Sequence, residues 1–566
     1  MKVSLISPYP DITNYGLRSI SSTLRAAGHS TQVLCMPDFA GDGESVHVRM
    51  SEDRYSPQVI DQMLELVADS DMVGLTLMTH YFDSAKQITK AVQTRLGKPV
   101  IWGGFHPSVR PDECARHAEY VAIGDAEDLM LQLCERLENG GSQKLHGIRS
   151  LVWRKGDDVV RNPPGSLEQE LDRYPAPDFS REDHHILFEG QMMPVTKDLL
   201  RRYLHNGTVS RMFGRTGYQT MTGRGCPHAC TYCGNSFYRD LYKRQRYVRF
   251  RSVEHVIGEL ETVKREYPFI DFVWFSDDSF FGRPLPDLLD FCHQYKTRVG
   301  DPFYLLGSPG TITEEKYEAL VDAGLHCIQM GVEHGSKRIQ KLFKRSTMGN
   351  DKILKSAEII TKYTDRTAPP QYDIIYDLAY ETIEDKLDTL RLVSQLPKPY
   401  RLQVFSVIYY PGTSLHTLAE RDGLVNDEKA EIYDRMFFER HDSYTNTLLF
   451  LARSGRFPHP LLKVLIDRRV VDVMTSDYMA PAGNVAKAAI RALRQALRSP
   501  AVERAKALGA AFRVGFILSA AMPGILLDST VERRDGRLVL GLPPHLGDLD
   551  GEVLQRRLRQ IGRAHV

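Results

Sequence analysis

The residues best suited to chemistry lie on one stretch, Met221-Thr-Gly-Arg-Gly-Cys-Pro-His-Ala-Cys-Thr-Tyr-Cys-Gly-Asn235. Cys226, Cys230 and Cys233 are spaced Cys-x3-Cys-x2-Cys. A cuboidal 4Fe-4S cluster normally takes one thiolate per iron. Three thiolates on a tight loop leave one iron open to a substrate or cofactor, just as a catalytic zinc site keeps one position open. Zinc is the competing reading, but zinc loops usually pair two Cys-x2–4-Cys elements or add two histidines. No second pair is present in this chain. Gly225 and Pro227 flank Cys226, and Tyr232 directly precedes Cys233. So ordered a setting argues against three unrelated core cysteines.

Such a loop needs a scaffold. From residue 218 the hydrophobic pattern alternates strand and helix, with strands predicted at 218–222, 272–280, 302–306, 327–333, 371–377 and 402–408. Residues 1–145 alternate in the same way, with strands predicted at 3–7, 31–34, 72–77, 99–102 and 120–123. Alternation of this kind predicts a doubly wound, flavodoxin-like parallel sheet, with ligands at the carboxyl ends of its strands. The first turn lacks Gly-x-Gly-x-x-Gly, so it is not a dinucleotide site. Residues 146–217 read as a connector. It holds a hairpin at 151–161 and a Pro-rich run at 171–179, and 180–217 shows no clear pattern. Residues 426–566 read as predominantly helical.

The cysteine loop resembles that of radical S-adenosylmethionine (SAM) enzymes. The N-terminal region resembles the cobalamin-binding domain fused to many of them. The matching segments are Thr76-Leu-Met-Thr-His80, Gly103-Gly-Phe-His-Pro107 and Ile123-Gly-Asp-Ala-Glu127. Farther on, Asp277-Asp278, Gly331-Val-Glu-His-Gly-Ser336, the segment 372–382 and Tyr410-Pro-Gly-Thr-Ser-Leu415 resemble the strand ends of the family's partial (β/α)6 TIM-type barrel. The resemblance covers roughly residues 1–425. It implies a cluster held by Cys226, Cys230 and Cys233, with SAM chelating the open iron and being cleaved to a 5′-deoxyadenosyl radical. It places Tyr232, Glu333 and Asp277 near SAM, and Thr76, Gly103 and Gly104 at the cobalamin. Asp278 reads equally as a helix N-cap. At 376, 377 and 380, Tyr, Asp and Tyr stand where relatives often have glycine. Asp-x-His-x-x-Gly, the cobalt-ligand motif of other cobalamin proteins, is absent from the first loop. The remaining candidate ligands, His80 and His106, read as loop hydrogen-bond donors.

At 566 residues the chain exceeds a single core. The expected segments are 1–145 (cobalamin), 146–217 (connector), 218–425 (barrel) and 426–566 (helical). A net charge of +1 gives no global field for nucleic acid. Cys35, Cys114, Cys134, Cys292 and Cys327 are scattered and read as reduced core residues. The N-terminus opens on a strand rather than a leader, and no apolar run reaches the roughly 18–20 residues of a membrane span. A cytoplasmic location is expected. A basic amphipathic stretch at 484–513 runs into an apolar one at 514–527, which suits a cap on the barrel or, less simply, peripheral contact with an anionic membrane. The resemblance implies methylation of an unactivated carbon on a small-molecule or lipid-like substrate, with an external reductant such as flavodoxin or ferredoxin. The alternatives are a non-methylating oxidative cyclase or rearrangement enzyme, and a cobalamin or iron-sulfur sensor without turnover.

Overall fold

The computed structural model describes residues 1–9, 12–37, 54–139, 142–156, 158–435, 441, 443–476, 530–534 and 537–541. The chain divides into two units, 1–441 with 449–457, and 442–448 with 458–566.

The first unit holds two parallel sheets. In the first, β1 (Lys2–Ser7), β2 (Ser30–Cys35), β3 (Met72–Thr76), β4 (Val100–Gly103) and β5 (Tyr120–Ala122) lie in the order β2-β1-β3-β4-β5. The order reverses between β1 and β3, and open sheets of this kind bind ligands outside that switch point. Val3, Leu5, Ile6, Val33, Leu34 and Val73 are all 3% exposed or less, as strands covered by helices on both faces must be.

The sheet continues beyond residue 145. β6 (Leu151–Lys155) and β7 (Asp158–Arg161) form the expected hairpin, and it adds antiparallel to β5. On the opposite edge β8 (His184–Phe188) pairs parallel with β2, and β9 (Gln191–Pro194) turns back on β8. The sheet thus has nine strands. β9 escapes sequence reading because Gln-Met-Met-Pro has no period of two, and its proline is tolerated only at an edge.

The second sheet comprises β10 (Gly217–Thr220), β13 (Phe272–Phe275), β14 (Phe303–Gly307), β15 (Leu325–Glu333), β16 (Gln371–Tyr376) and β17 (Arg401–Ser406). Its six strands are neighbours in chain order and all parallel, the predicted partial barrel. A short antiparallel pair, β11 (Gly223–Arg224) with β12 (Arg249–Phe250), stands beside β10 in the chain. Several helices that follow these strands start at side-chain caps: Ser252, Thr313, Ser336, Thr382 and Thr413 each accept a backbone N–H in the first turn. Thr382 and Asp385 complete a capping box.

In the second unit, helices His459–Leu465 and Arg468–Met474 follow one another, and the Tyr444 hydroxyl donates to Leu465 O (3.0 Å). β18 (Thr530–Arg534) and β19 (Arg537–Gly541) pair antiparallel within the region read as helical. Asp535-Gly536 between them is a strong hairpin dipeptide and was the signal for it. The stretches 484–513 and 514–527, with the cap and membrane readings they prompted, lie outside the described residues. Among the described residues no helix is long and apolar enough to cross a membrane.

Candidate active site

The lead into the cysteine loop is fixed before the first cysteine. The Thr222 N–H donates to both carboxylate oxygens of Asp277 (3.1 and 2.9 Å), and its hydroxyl donates to one of them (2.7 Å). Asp277 is 1% exposed, and burial pushes its carboxyl up to about 6. Its side chain therefore faces Thr222. The neighbouring Asp278 lines the adjacent cavity and accepts from the Gly225 N–H (3.3 Å) and Asn235 Nδ2 (2.9 Å). At Gly225 (φ +88°) an added Cβ would stand 2.5 Å from Tyr247 O, so the turn into Cys226 requires glycine.

The loop itself is held from three sides. The Cys233 N–H donates to Cys230 O (3.1 Å), and Cys233 O accepts from the Ser236 N–H and hydroxyl. Thr231 donates to Phe343 O and Leu342 O and accepts from the Leu415 N–H. Burial pushes the Cys226 thiol up to about 12 and the Cys233 thiol up to about 11. Among the described residues no three His, Cys, Asp or Glu side chains converge as one ion requires. A cluster taking one thiolate per iron makes no such demand.

Glu333 ends β15 with φ +65°, where the register against β16 shifts between Gly331 and Glu333. Burial raises its carboxyl above the usual range, opposed by the Arg345 guanidinium and a hydrogen bond from Tyr232. Arg345 is the hub of this corner. It donates to Cys230 Sγ (3.5 Å), the Tyr232 hydroxyl (3.4 Å) and Gly331 O (2.6 Å), and stands 3.9 Å from Glu333. Tyr232 packs edge-on against Phe343, ring centroids 4.7 Å apart. Sequence reasoning named Tyr232 and Glu333 but not Arg345, which belongs to no motif and which the structure brings against both. The available signal was that a buried glutamate needs a cationic partner.

A cavity of about 660 Å³ lies between the carboxyl ends of β1, β3, β4 and β5 and the cysteine loop. Thr76, Gly103 and Gly104 line one side, and Tyr232, Cys233 and Gly234 the other. At Gly104 (φ +103°, ψ −165°) a Cβ would stand 2.8 Å from Leu77 O. At Gly234 it would meet the Phe105 ring at 2.5 Å, so the Gly103-Gly104-Phe105 turn packs directly on the cysteine loop. Charged clamps hold the two sheets in this relation. Arg224 reaches Asp125 (3.1 Å) and Glu127 (2.6 Å), Arg249 reaches Asp125 (3.0 Å), and the Ser19 hydroxyl donates to Glu127 (2.7 Å). Burial works against the Asp125 charge, but the two guanidiniums outweigh it and hold its carboxyl below the ordinary range. In Ile123–Glu127, then, the carboxylates join domains. Neither His80 nor His106 lines the cavity. His80 Nε2 meets Arg435 O (2.7 Å), and the fully buried His106 meets the Thr79 hydroxyl through Nδ1 (3.1 Å).

A parallel-sheet domain facing a three-cysteine loop at the mouth of a partial barrel is the architecture of a cobalamin-carrying radical SAM enzyme. Family comparison agrees: residues 1–133 match the B12 binding domain and residues 220–393 the Radical SAM superfamily. Residues 471–565 match the C-terminal domain of exopolyphosphatase, largely outside the described residues. An uncharacterized methyltransferase of Pyrococcus horikoshii is 27% identical over 364 residues, 63% of this chain and 71% of the relative. The bacteriochlorophyllide d C-8(2)-methyltransferase of Chlorobaculum tepidum is 23% identical over 420 residues, 72% of this chain and 78% of the relative. The structure of the cobalamin-dependent SAM radical enzyme OxsB, with aqua-cobalamin and SAM bound, shares the fold at TM-score 0.59 and 14% identity, covering 100% of this chain and 80% of that one. The chain thus carries a B12 binding domain and a radical SAM domain, and it is a cobalamin-dependent radical SAM, methyltransferase-like enzyme with a 4Fe-4S cluster, SAM and cobalamin as its cofactors.

Proposed function

We propose that this enzyme methylates an unactivated carbon of a small-molecule or lipid-like substrate. The observation that carries this reading is a cavity walled on one side by the glycine turn of the first sheet and on the other by Cys233 of the cysteine loop. Cys226, Cys230 and Cys233 would hold the cluster. Glu333 and Tyr232, joined by Arg345, would flank SAM, and Asp277 would act through the Thr222 backbone it fixes. Thr76, Gly103 and Gly104 would receive the cobalamin: they line the cavity wall at the carboxyl ends of β3 and β4, where Gly103 adds no side chain and Gly104 lets the turn close against Leu77. When bound, these groups supply a radical from SAM and a transferable methyl group. The two chemistries would sit on opposite walls of one chamber, which Phe105, Tyr238 and Tyr410 also line. The reductant is an external one-electron carrier such as flavodoxin or ferredoxin.

The test is anaerobic turnover with methyl-labelled SAM. Labelled product formed together with 5′-deoxyadenosine is the expected result. Deoxyadenosine without methyl transfer would replace the reading with a cyclase or rearrangement enzyme, and no SAM cleavage would leave a sensor.

A further inference from the structure

The cysteine loop has an outer face as well as an inner one. Cys233 lines the cavity, whereas Cys226 lines a separate groove of about 550 Å³. Five basic side chains surround this groove: Arg239, Lys243, Arg244, Arg246 and Lys344. Asp240 is its one carboxylate. Such a charge density is not the chain's average, since the whole sequence carries only +1. Nor is it neutralised locally. Among the described residues none of the five forms an ion pair with a carboxylate, whereas Arg298 is paired with both Glu254 and Glu261. Lys243, Arg244, Arg246 and Lys344 are exposed. Arg244 (φ +75°) and Lys344 (φ +54°) also adopt left-handed backbone conformations that long side chains rarely take. Such positions persist only where the surrounding structure imposes them, so the bases are presented on shaped turns rather than on a frayed surface.

Resting on the proposed reductive reaction, we infer that this groove is the docking surface for an acidic one-electron carrier protein, which meets the cluster from the side of Cys226. The carrier loses one electron, the oxidised cluster gains it, and no atom is transferred. Radical chemistry then proceeds on the opposite side of the loop, facing Cys233 and the cavity. Unpaired positive charge beside the acceptor suits this task, because complementary charge raises the encounter rate of a transient partner by roughly 10- to 1000-fold without tight binding.

The experiment compares two reductants on the reconstituted enzyme. Reduced flavodoxin is the acidic carrier, and reduced methyl viologen is a small cation that needs no docking surface. Cluster reduction is followed by stopped-flow absorbance, and SAM cleavage by 5′-deoxyadenosine. In the Lys243→Glu, Arg244→Glu, Lys344→Glu variant, reduction by flavodoxin should slow at least about tenfold while the viologen rate is kept. In the unsubstituted enzyme, raising salt from about 0.01 M to about 0.1 M shrinks the Debye length from about 30 Å to about 10 Å and should slow flavodoxin alone. A flavodoxin rate indifferent to both changes would overturn the inference, as would equal slowing with both reductants. Failure of viologen to drive SAM cleavage in the unsubstituted enzyme would instead sink the reductive reading on which the inference rests, and the inference with it.

Discussion

The two sheets of the first unit meet the cavity by opposite means. The first presents backbone: its wall is a turn in which Gly104 sits at φ +103° with no room for a Cβ. The second presents side chains: Asp277 pins Thr222, and Arg345 ties together Cys230, Tyr232, Gly331 and Glu333. A large, preformed ligand can be received by removing atoms from a wall. A cluster and a small charged cosubstrate need directed donors and a compensated field. One edge should therefore be sensitive to added bulk, and the other to lost charge or lost ligands.

The largest effect should come from the side-chain edge. Cys230→Ala should abolish both the visible absorbance of the reconstituted cluster and 5′-deoxyadenosine formation, whereas Cys292→Ala, on a barrel helix, should preserve both. Cluster absorbance that survives in Cys230→Ala would break the assignment.

Next in size is Arg345→Met. It removes a donor to Cys230 Sγ and leaves Glu333 buried without its cation, and outer-shell losses of this kind typically cost about 10–100-fold. SAM cleavage should fall by that factor, with Arg345→Lys recovering only part, since an ammonium cannot make the same forked contacts. Full activity in the methionine variant would mean that this edge does not depend on charge.

The backbone edge is tested by Gly104→Ala against Gly97→Ala. Both positions have positive φ, but Gly97 (φ +63°) has nothing within 4 Å of an added Cβ, whereas Gly104 meets Leu77 O at 2.8 Å. Strain of about 1–3 kcal/mol is expected at Gly104, together with roughly tenfold weaker cobalamin binding by equilibrium titration. Gly97→Ala should bind cobalamin normally. Equal behaviour of the two variants would remove the cradle from the account.

The smallest effect distinguishes the sheets by pH. His184, at the start of β8, is held down to about 4 by burial and by the neighbouring Arg18, so its folded value lies below the unfolded value of about 6.5. Its contribution is present above pH 6.5 and is lost as pH falls toward 4. One unit below 6.5 the loss is about 1.4 kcal/mol. Asp277 runs the other way: its folded value of about 6 exceeds the unfolded value of about 3.9, so stability falls as pH rises from about 4 to 6. Thermal melts between pH 5 and 7 should show His184→Gln gaining at the acid end and Asp277→Asn at the neutral end. Melting curves that shift in parallel at all pH values would refute both assignments.

What the chain alone determined is local in sequence. The cysteine spacing and the alternation of apolar runs depend on neighbours within a few residues, so the loop and both parallel sheets were legible. Only the tertiary structure decided what depends on distant partners. It brought Arg345 to Cys230, set Asp277 against Thr222 and Asp278 toward the cavity, and turned Asp125 and Glu127 into a clamp for Arg224 and Arg249. It also added β8 and β9 to the first sheet, where pairing of β8 with β2, and of β9 with β8, supplies the stability that their own pattern lacks. The physical reason is the same throughout: a buried charge or a short edge strand is stabilised by a partner, and the sequence does not state where along the chain that partner lies.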